Sequence, residues 1–280
     1  PRYGLISPYW VGVNATVESM RNVASVGATP HALTDCLCFG NPEKPEQMWE
    51  FVESTRGISD TCKTVTLKEH PNSPTPIIAG NVSFYNESKF GAIPPSPIVS
   101  CLGKIKNIDN AITMSFKKEN SLILMIGKRK NELGGSLYYD LFDKLGANVP
   151  KPDLNTVKGE IFSLTTCIDK KLILSCHDIS DGGLSAALAE MTFENNIGCS
   201  VNYKTILKPE AFLFSETGGF ILEIDSSYLK EVEKEFLINN IEIAVIGKTN
   251  KSKMIEINEE ISINLIDVKS SWETGLREKL

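Results

Sequence analysis

Basic residues are in deficit: 29 Lys and Arg stand against 35 Asp and Glu, a formal net charge of −6 with an isoelectric point near 5.3. Nucleic-acid binders carry a basic patch or a basic excess, so no general polyanion-binding surface is expected, although a local basic pocket stays open. No run of about 18 apolar residues occurs, which excludes a membrane-spanning helix on length alone. Short repeats and low-complexity segments are absent as well. The cysteines number seven, an odd count, and no secretory leader is expected. Reduced thiols and a cytoplasmic location are therefore expected, with no disulfide framework. Cys36 and Cys38 invite a metal reading, but a thiolate site needs about four ligands, and no second Cys/His pair has suitable spacing. Side chains at i and i+2 share one face of a strand, and buried thiols account for the pair.

What remains is an ordinary globular balance, 41% hydrophobic and 23% charged, over 280 residues. That is long enough for two domains with cores of their own. Val13, Val17, Met20 and Ala24 recur at i, i+4, i+7 and i+11, which predicts an amphipathic helix over residues 12–26 that Gly27 stops. Thr29-Pro30 favours extended backbone, and 32–39 reads as a buried strand. Met48, Val52, Thr55, Ser59 and Cys62 predict a second helix after Pro42 and Pro45. Residues 65–76, with His70 and several prolines, read as a surface excursion in which His70 is a solvated loop residue. A strand at 76–79 follows, then another at 98–103. The polar stretch 104–120 marks the boundary between a domain of residues 1–112 and one of 113–280. Beyond it the pattern predicts strands at 122–126, 172–176, 220–224 and 244–246. Helices are expected from about Ser136, around Leu184, Leu188 and Met191, and over 228–238. Alternation of this kind argues an α/β layer arrangement.

The chemistry concentrates in Ala79-Gly80-Asn81-Val82-Ser83-Phe84-Tyr85-Asn86-Glu87. A glycine lets backbone approach a polyphosphate and presents N–H donors to it. The Asn81 carbonyl is a hard oxygen suited to Mg²⁺. A strand followed by Gly-Asn is also what an ordinary turn looks like. Likewise Asp35, ahead of Gly40-Asn41-Pro42, could cap a turn.

These residues belong to a longer pattern. It comprises Arg21 to Pro30 with its Gly27-Ala28-Thr29-Pro30, Leu33-Thr34-Asp35-Cys36-Leu37-Cys38-Phe39-Gly40-Asn41-Pro42, Glu132-Leu133-Gly134-Gly135-Ser136, His177-Asp178-Ile179-Ser180-Asp181-Gly182-Gly183, Leu213-Phe214-Ser215-Glu216 and Ser271-Trp272-Glu273. In order and spacing the chain resembles, nearly end to end, the C-terminal half of the synthetase of the phosphoribosylformylglycinamidine synthase family, within the aminoimidazole-ribonucleotide-synthetase-like superfamily. The resemblance implies a two-domain synthetase-like fold, an N-terminal α+β domain built on an antiparallel-rich sheet and a C-terminal α/β domain. It implies an ATP-dependent ligase of purine biosynthesis in which Asp35 and Gly80 contact ATP, Asn81 contributes to Mg²⁺ and Ser83 contacts formylglycinamide ribonucleotide. No catalytic residue is assigned.

The family's catalytic histidine, its ATP-binding lysine and several acidic Mg²⁺ ligands lie in the N-terminal half. That half is thus an expected partner, together with a glutaminase subunit or domain, since neither Cys167 nor Cys176 sits in a nucleophile elbow. Pairing of N-terminal domains in the superfamily implies a possible homodimer of the lone half through residues 1–110. Three departures stand out. Ser7-Pro8-Tyr9 replaces Asp-Pro-Tyr, Asn22 stands where related synthetases often have Asp, and Cys38 replaces an Asn. Because the family enzyme is internally duplicated, His177 to Gly183 and Glu216 belong to the pseudo-symmetric copy, an auxiliary nucleotide site or a structural one. Alternatives are another ATP-dependent superfamily member, against which Leu33 to Leu37 and Gly80 to Ser83 argue, or a degenerate scaffold half. Pro1 as first residue suggests a truncated chain.

Overall fold

Helix α1 (Pro8–Ser25) starts with proline in its first turn, where a missing N–H goes unnoticed, and it carries the apolar stripe into the core. Val13, Val17, Met20 and Ala24 are all fully buried. Gly27, at φ +97°, turns the chain out of the helix. Helix α2 (Pro45–Thr64) crosses α1 where two glycines permit it. A Cβ on Gly12 would lie 2.1 Å from the Ser54 carbonyl oxygen, and one on Gly57 2.2 Å from that of Tyr9. The Ser54 hydroxyl donates to the Pro8 carbonyl across the crossing, at 2.9 Å. The computed structural model describes residues 1–275.

Between and after these helices run β1 (Thr29–Cys38), β2 (Ile77–Ser83), the two-residue strands β3 (Glu87–Ser88) and β4 (Gly91–Ala92), and β5 (Ser96–Lys104). The first sheet has the order β2-β1-β5. Strand β1 pairs in parallel with β2 and antiparallel with β5, so the sheet is evenly mixed, not antiparallel-rich. Strand β2 runs four residues beyond the expected 76–79, through Gly80 and Asn81 to Ser83. The Gly80-Asn81 pair is therefore strand, not turn. Asp35 is likewise in mid-strand, opposite Gly80 on one side and Val99 on the other, which removes the turn-capping reading.

The second half of the chain contains β6 (Leu122–Ile126), α3 (Leu137–Asp140), α4 (Leu154–Asp169), β7 (Ser175–Asp178), α5 (Gly183–Met191), β8 (Gly198–Val201), α6 (Pro209–Phe214), β9 (Phe220–Ile224), α7 (Leu229–Ile238), β10 (Ile243–Asn250), β11 (Met254–Ile257), β12 (Ile261–Asn264) and α8 (Leu265–Thr274). Its seven strands form one sheet in the order β12-β11-β8-β10-β6-β9-β7, with β11 and β8 the parallel pair. Leu122, Leu124 and Ile126 face a core shared with α4, α7 and α1, while Ile123 and Met125 face α5, α6 and α8. Burial on both faces explains the unbroken apolar run of β6, and β6 and β9 match their expected spans residue for residue. The strand expected at 172–176 lies at 175–178. Leu172 and Ile173 plug the core outside the sheet, after Lys171 turns the chain at φ +59°. The helix expected from Ser136 is a single turn. No described helix is long and apolar enough to cross a membrane.

Candidate functional site

The Asp35 carboxylate projects from β1 on the helix-packed side of the first sheet. Its parallel partner Gly80 points the same way, and a Cβ there would meet Asp35 Oδ1 at 2.5 Å. Gly80 is required by close approach, not by a left-handed backbone. Burial pushes the Asp35 carboxyl up, and the Asn81 backbone N–H works against that shift. Beside Asp35 opens a cavity of about 300 Å³, lined by Leu37, Ile58, Cys62, Pro74, Thr75 and Ile77 among others. The 65–76 excursion closes one end of it. Thr75 is tied there by its hydroxyl to the Val65 carbonyl (2.7 Å) and by its N–H to the Cys62 carbonyl (3.0 Å).

Asn81 and Ser83, one and three residues on, alternate to the opposite face of the sheet. There they stand beside Cys36 and Cys38, their register partners. The four residues singled out in the sequence are thus adjacent in register but divided between two faces. Asn81 Nδ2 donates to Cys36 Sγ at 3.7 Å, which orients its carbonyl oxygen away from the sulfur. Cys36 and Cys38 are half-buried with their sulfurs 3.7 Å apart, not fully buried as expected. This face also exposes Ile98 and Leu102, at 60% and 54%. For Mg²⁺ the Asn81 carbonyl offers a hard oxygen here. That suits an ion which keeps waters and takes most of its ligands from phosphates; no three His, Cys, Asp or Glu side chains among the described residues are grouped to hold a metal.

A second pocket forms where α1 meets the β7–α5 turn, lined by Tyr3, Asn14, Glu18, Arg21, Asp178 and Asp181, with Glu216. The strand-to-helix turn expected at His177 to Gly183 is present, and Gly182 and Gly183 both adopt positive φ. Asp178 Oδ2 is buried without a partner. Its other oxygen lies 3.3 Å from His177 Nδ1, and His177 Nε2 lies 2.7 Å from Glu190. Burial alone would lower the histidine, but Asp178 and Glu190 outweigh it and push His177 up to about 10. Glu216 accepts from the N–H groups of Leu137 (2.8 Å) and Gly182 (3.1 Å) and from the Tyr3 hydroxyl. It thereby ties three segments together. Reading the sequence missed Tyr3, Glu18 and Arg21; Asn14, Glu18 and Arg21 fall at i, i+4 and i+7, a polar stripe beside the apolar one that would have pointed to them.

A mixed two-domain fold with a cavity beside a strand carboxylate defines a class that the comparisons make specific. The chain belongs to the AIR synthase related protein family, whose N-terminal domain matches residues 1–105 and whose C-terminal domain matches residues 118–258. It is 40% identical over 286 residues to the phosphoribosylformylglycinamidine synthase subunit PurL of Methanothrix thermoacetophila, covering 100% of this chain and 37% of that protein. To the same subunit of Thermococcus sibiricus it is 37% identical, covering 97% and 38%. The chain thus spans less than two fifths of the length of these relatives. Among solved structures it superposes on Thermotoga maritima PurL complexed with FGAR (TM-score 0.76, 14% identity, 96% of this chain and 44% of that one). The ATP complex of that protein gives a TM-score of 0.68 at 14% identity, over 94% and 41%.

Proposed function

We propose that this chain is the C-terminal half of the synthetase of a phosphoribosylformylglycinamidine synthase, an ATP-dependent carbon–nitrogen ligase of purine biosynthesis. The observation that supports the reading is the parallel register Asp35↔Gly80, Cys36↔Asn81 and Cys38↔Ser83, which brings together the four residues that the family resemblance singles out. Asp35 and the cavity beside it would hold part of the ATP, the carboxylate serving as an acceptor for a nucleotide donor. Strand β2 is the sheet edge, so its outward N–H groups are free donors, and a triphosphate can pass round it from the Asp35 face to the Asn81 face. Gly80 keeps that passage open, the Asn81 carbonyl oxygen contributes to Mg²⁺, and the Ser83 hydroxyl holds formylglycinamide ribonucleotide.

The reaction needs positioning more than acid–base chemistry. The substrate amide oxygen attacks the γ-phosphorus and ADP leaves; ammonia then adds to the activated carbon and phosphate departs, giving an amidine. When bound, Mg²⁺ neutralises charge developing on the phosphates. The exposed Ile98 and Leu102 face is covered in this reading by the N-terminal half, which supplies the missing catalytic groups, or by a second copy when the half is alone. A glutaminase supplies the ammonia. Burial pushes the Cys167 thiol up to about 12 and Cys176 well above its ordinary value, which speaks against either acting as a nucleophile. The test is to mix the chain with an N-terminal half and assay ATP- and ammonia-dependent turnover. Turnover from the mixture and from neither half alone is expected; turnover indifferent to Asp35→Ala would leave only a scaffold role.

A further inference from the structure

Of the seven cysteines, Cys62, Cys167, Cys176 and Cys199 are buried, and Cys101 is half-buried on the opposite, helix-packed side, where it pairs with Leu33. Cys36 and Cys38 alone share the open face, their sulfurs 3.7 Å apart and flanked by Asn81 and Ser83. The pairing exists because position 38 carries cysteine where the family pattern has asparagine. We propose that Cys36 and Cys38 are a dithiol modification site, closed to an intramolecular disulfide by a low-molecular-weight disulfide and reopened by thiols.

The chemistry balances as two thiol–disulfide exchanges. Cys36 Sγ, the sulfur that receives the Asn81 N–H, attacks one sulfur of the small disulfide, whose other sulfur leaves and takes up the Cys36 proton. Cys38 Sγ, 3.7 Å from Cys36 Sγ, enters second. It then displaces the remaining small thiol from Cys36, and the Cys38 proton leaves with that thiol. One protein disulfide and two small thiols result.

Closure bears directly on the sheet. Two residues along a strand advance by about 6.4–6.8 Å, the upper end of the Cα separation a disulfide spans, roughly 4.4–6.8 Å. Bond formation also brings the sulfurs from 3.7 Å to about 2.05 Å, which draws β1 together at Leu37. Strand β1 is central and held on both sides, so the bond is strained, and strained disulfides are the readily reduced ones. The contraction also takes Cys36 Sγ from Asn81 Nδ2 and shifts the partners Asn81, Val82 and Ser83. If these residues have the roles proposed above, oxidation switches the site off; this second step rests on that reading, and the thiol chemistry does not.

Two measurements test it. The full chain is equilibrated with glutathione disulfide and glutathione, alkylated, and mapped by mass spectrometry. Loss of two hydrogens within the peptide spanning 36–38, without a glutathione adduct, is expected. Cys36→Ser and Cys38→Ser should each leave a mixed disulfide instead, while Cys101→Ser should behave as wild type. Glutathione adducts or free thiols at both positions of the wild type, across the whole range of ratios, would overturn the site. In the two-half complex, oxidised turnover is compared with each variant's own reduced turnover. A fall of about tenfold or more, recovered with dithiothreitol and absent in Cys38→Asn, is expected. A disulfide that leaves the ratio at one overturns the switch, whereas a reduced complex with no turnover counts against the functional reading alone.

Discussion

The Asp35 carboxylate occupies the space that a side chain on Gly80 would fill, with Oδ1 2.5 Å from the missing Cβ position. The contact ties the Asp35 carboxylate to its neighbour strand through the absence of an atom. In Gly80→Ala the obstacle is the end of a flexible side chain, so folding stability should change by no more than about 0.5 kcal/mol. The Asp35 carboxylate must swing aside, and ATP affinity measured by calorimetry in the two-half complex should fall about tenfold or more. Unchanged affinity would separate Asp35 from the nucleotide.

The two pockets should respond differently to loss of a carboxylate. Asp35→Ala or Asn81→Ala is expected to lower steady-state turnover of the two-half complex by about 10²-fold, since a contact specific to phosphoryl-transfer geometry is worth roughly 3 kcal/mol. Asp178→Ala should lower it less, on the reading that its pocket is the pseudo-symmetric copy. The reverse order in correctly folded complexes would show the two sites to be assigned the wrong way round.

His177 predicts a pH dependence of stability. Its value in the fold, about 10, lies above the ordinary 6.5, so the protonated imidazole held between Asp178 and Glu190 favours the folded state. That contribution is complete below about pH 6.5 and is lost as pH rises towards 10. Urea unfolding between pH 6 and 10 should show stability falling by at most a few kcal/mol from this source. In His177→Gln the slope over the same window should flatten; an unchanged slope would place the dependence elsewhere.

Gly12→Ala tests the helix crossing. The added carbon would sit 2.1 Å from a main-chain oxygen of Ser54, an atom that moves only with α2. Although alanine favours helix, destabilisation of about 1–3 kcal/mol is expected from the forced separation, read as a lower urea midpoint. A variant at least as stable as wild type would mean that α2 moves freely over α1.

The sequence determined the elements whose signal is local. The Val13–Ala24 stripe, the runs at 122–126 and 220–224, and the proline and glycine stops depend on period and turn chemistry within a few residues, and they fold where they were expected. The motif strings likewise marked Asp35, Gly80, Asn81 and Ser83 as adjacent in purpose. Only the tertiary structure decided how they meet. The β1–β2 register shifts between Leu33 and Thr34, and because side chains alternate with period two, that pairing sends Asp35 and Gly80 to the helix side and Asn81 and Ser83 to the open face with the cysteines. The 65–76 excursion became a wall of the Asp35 cavity, and α1 carried Glu18 and Arg21 to Asp178 across more than 150 residues of chain. Such contacts are set by packing between distant segments, which no local period encodes.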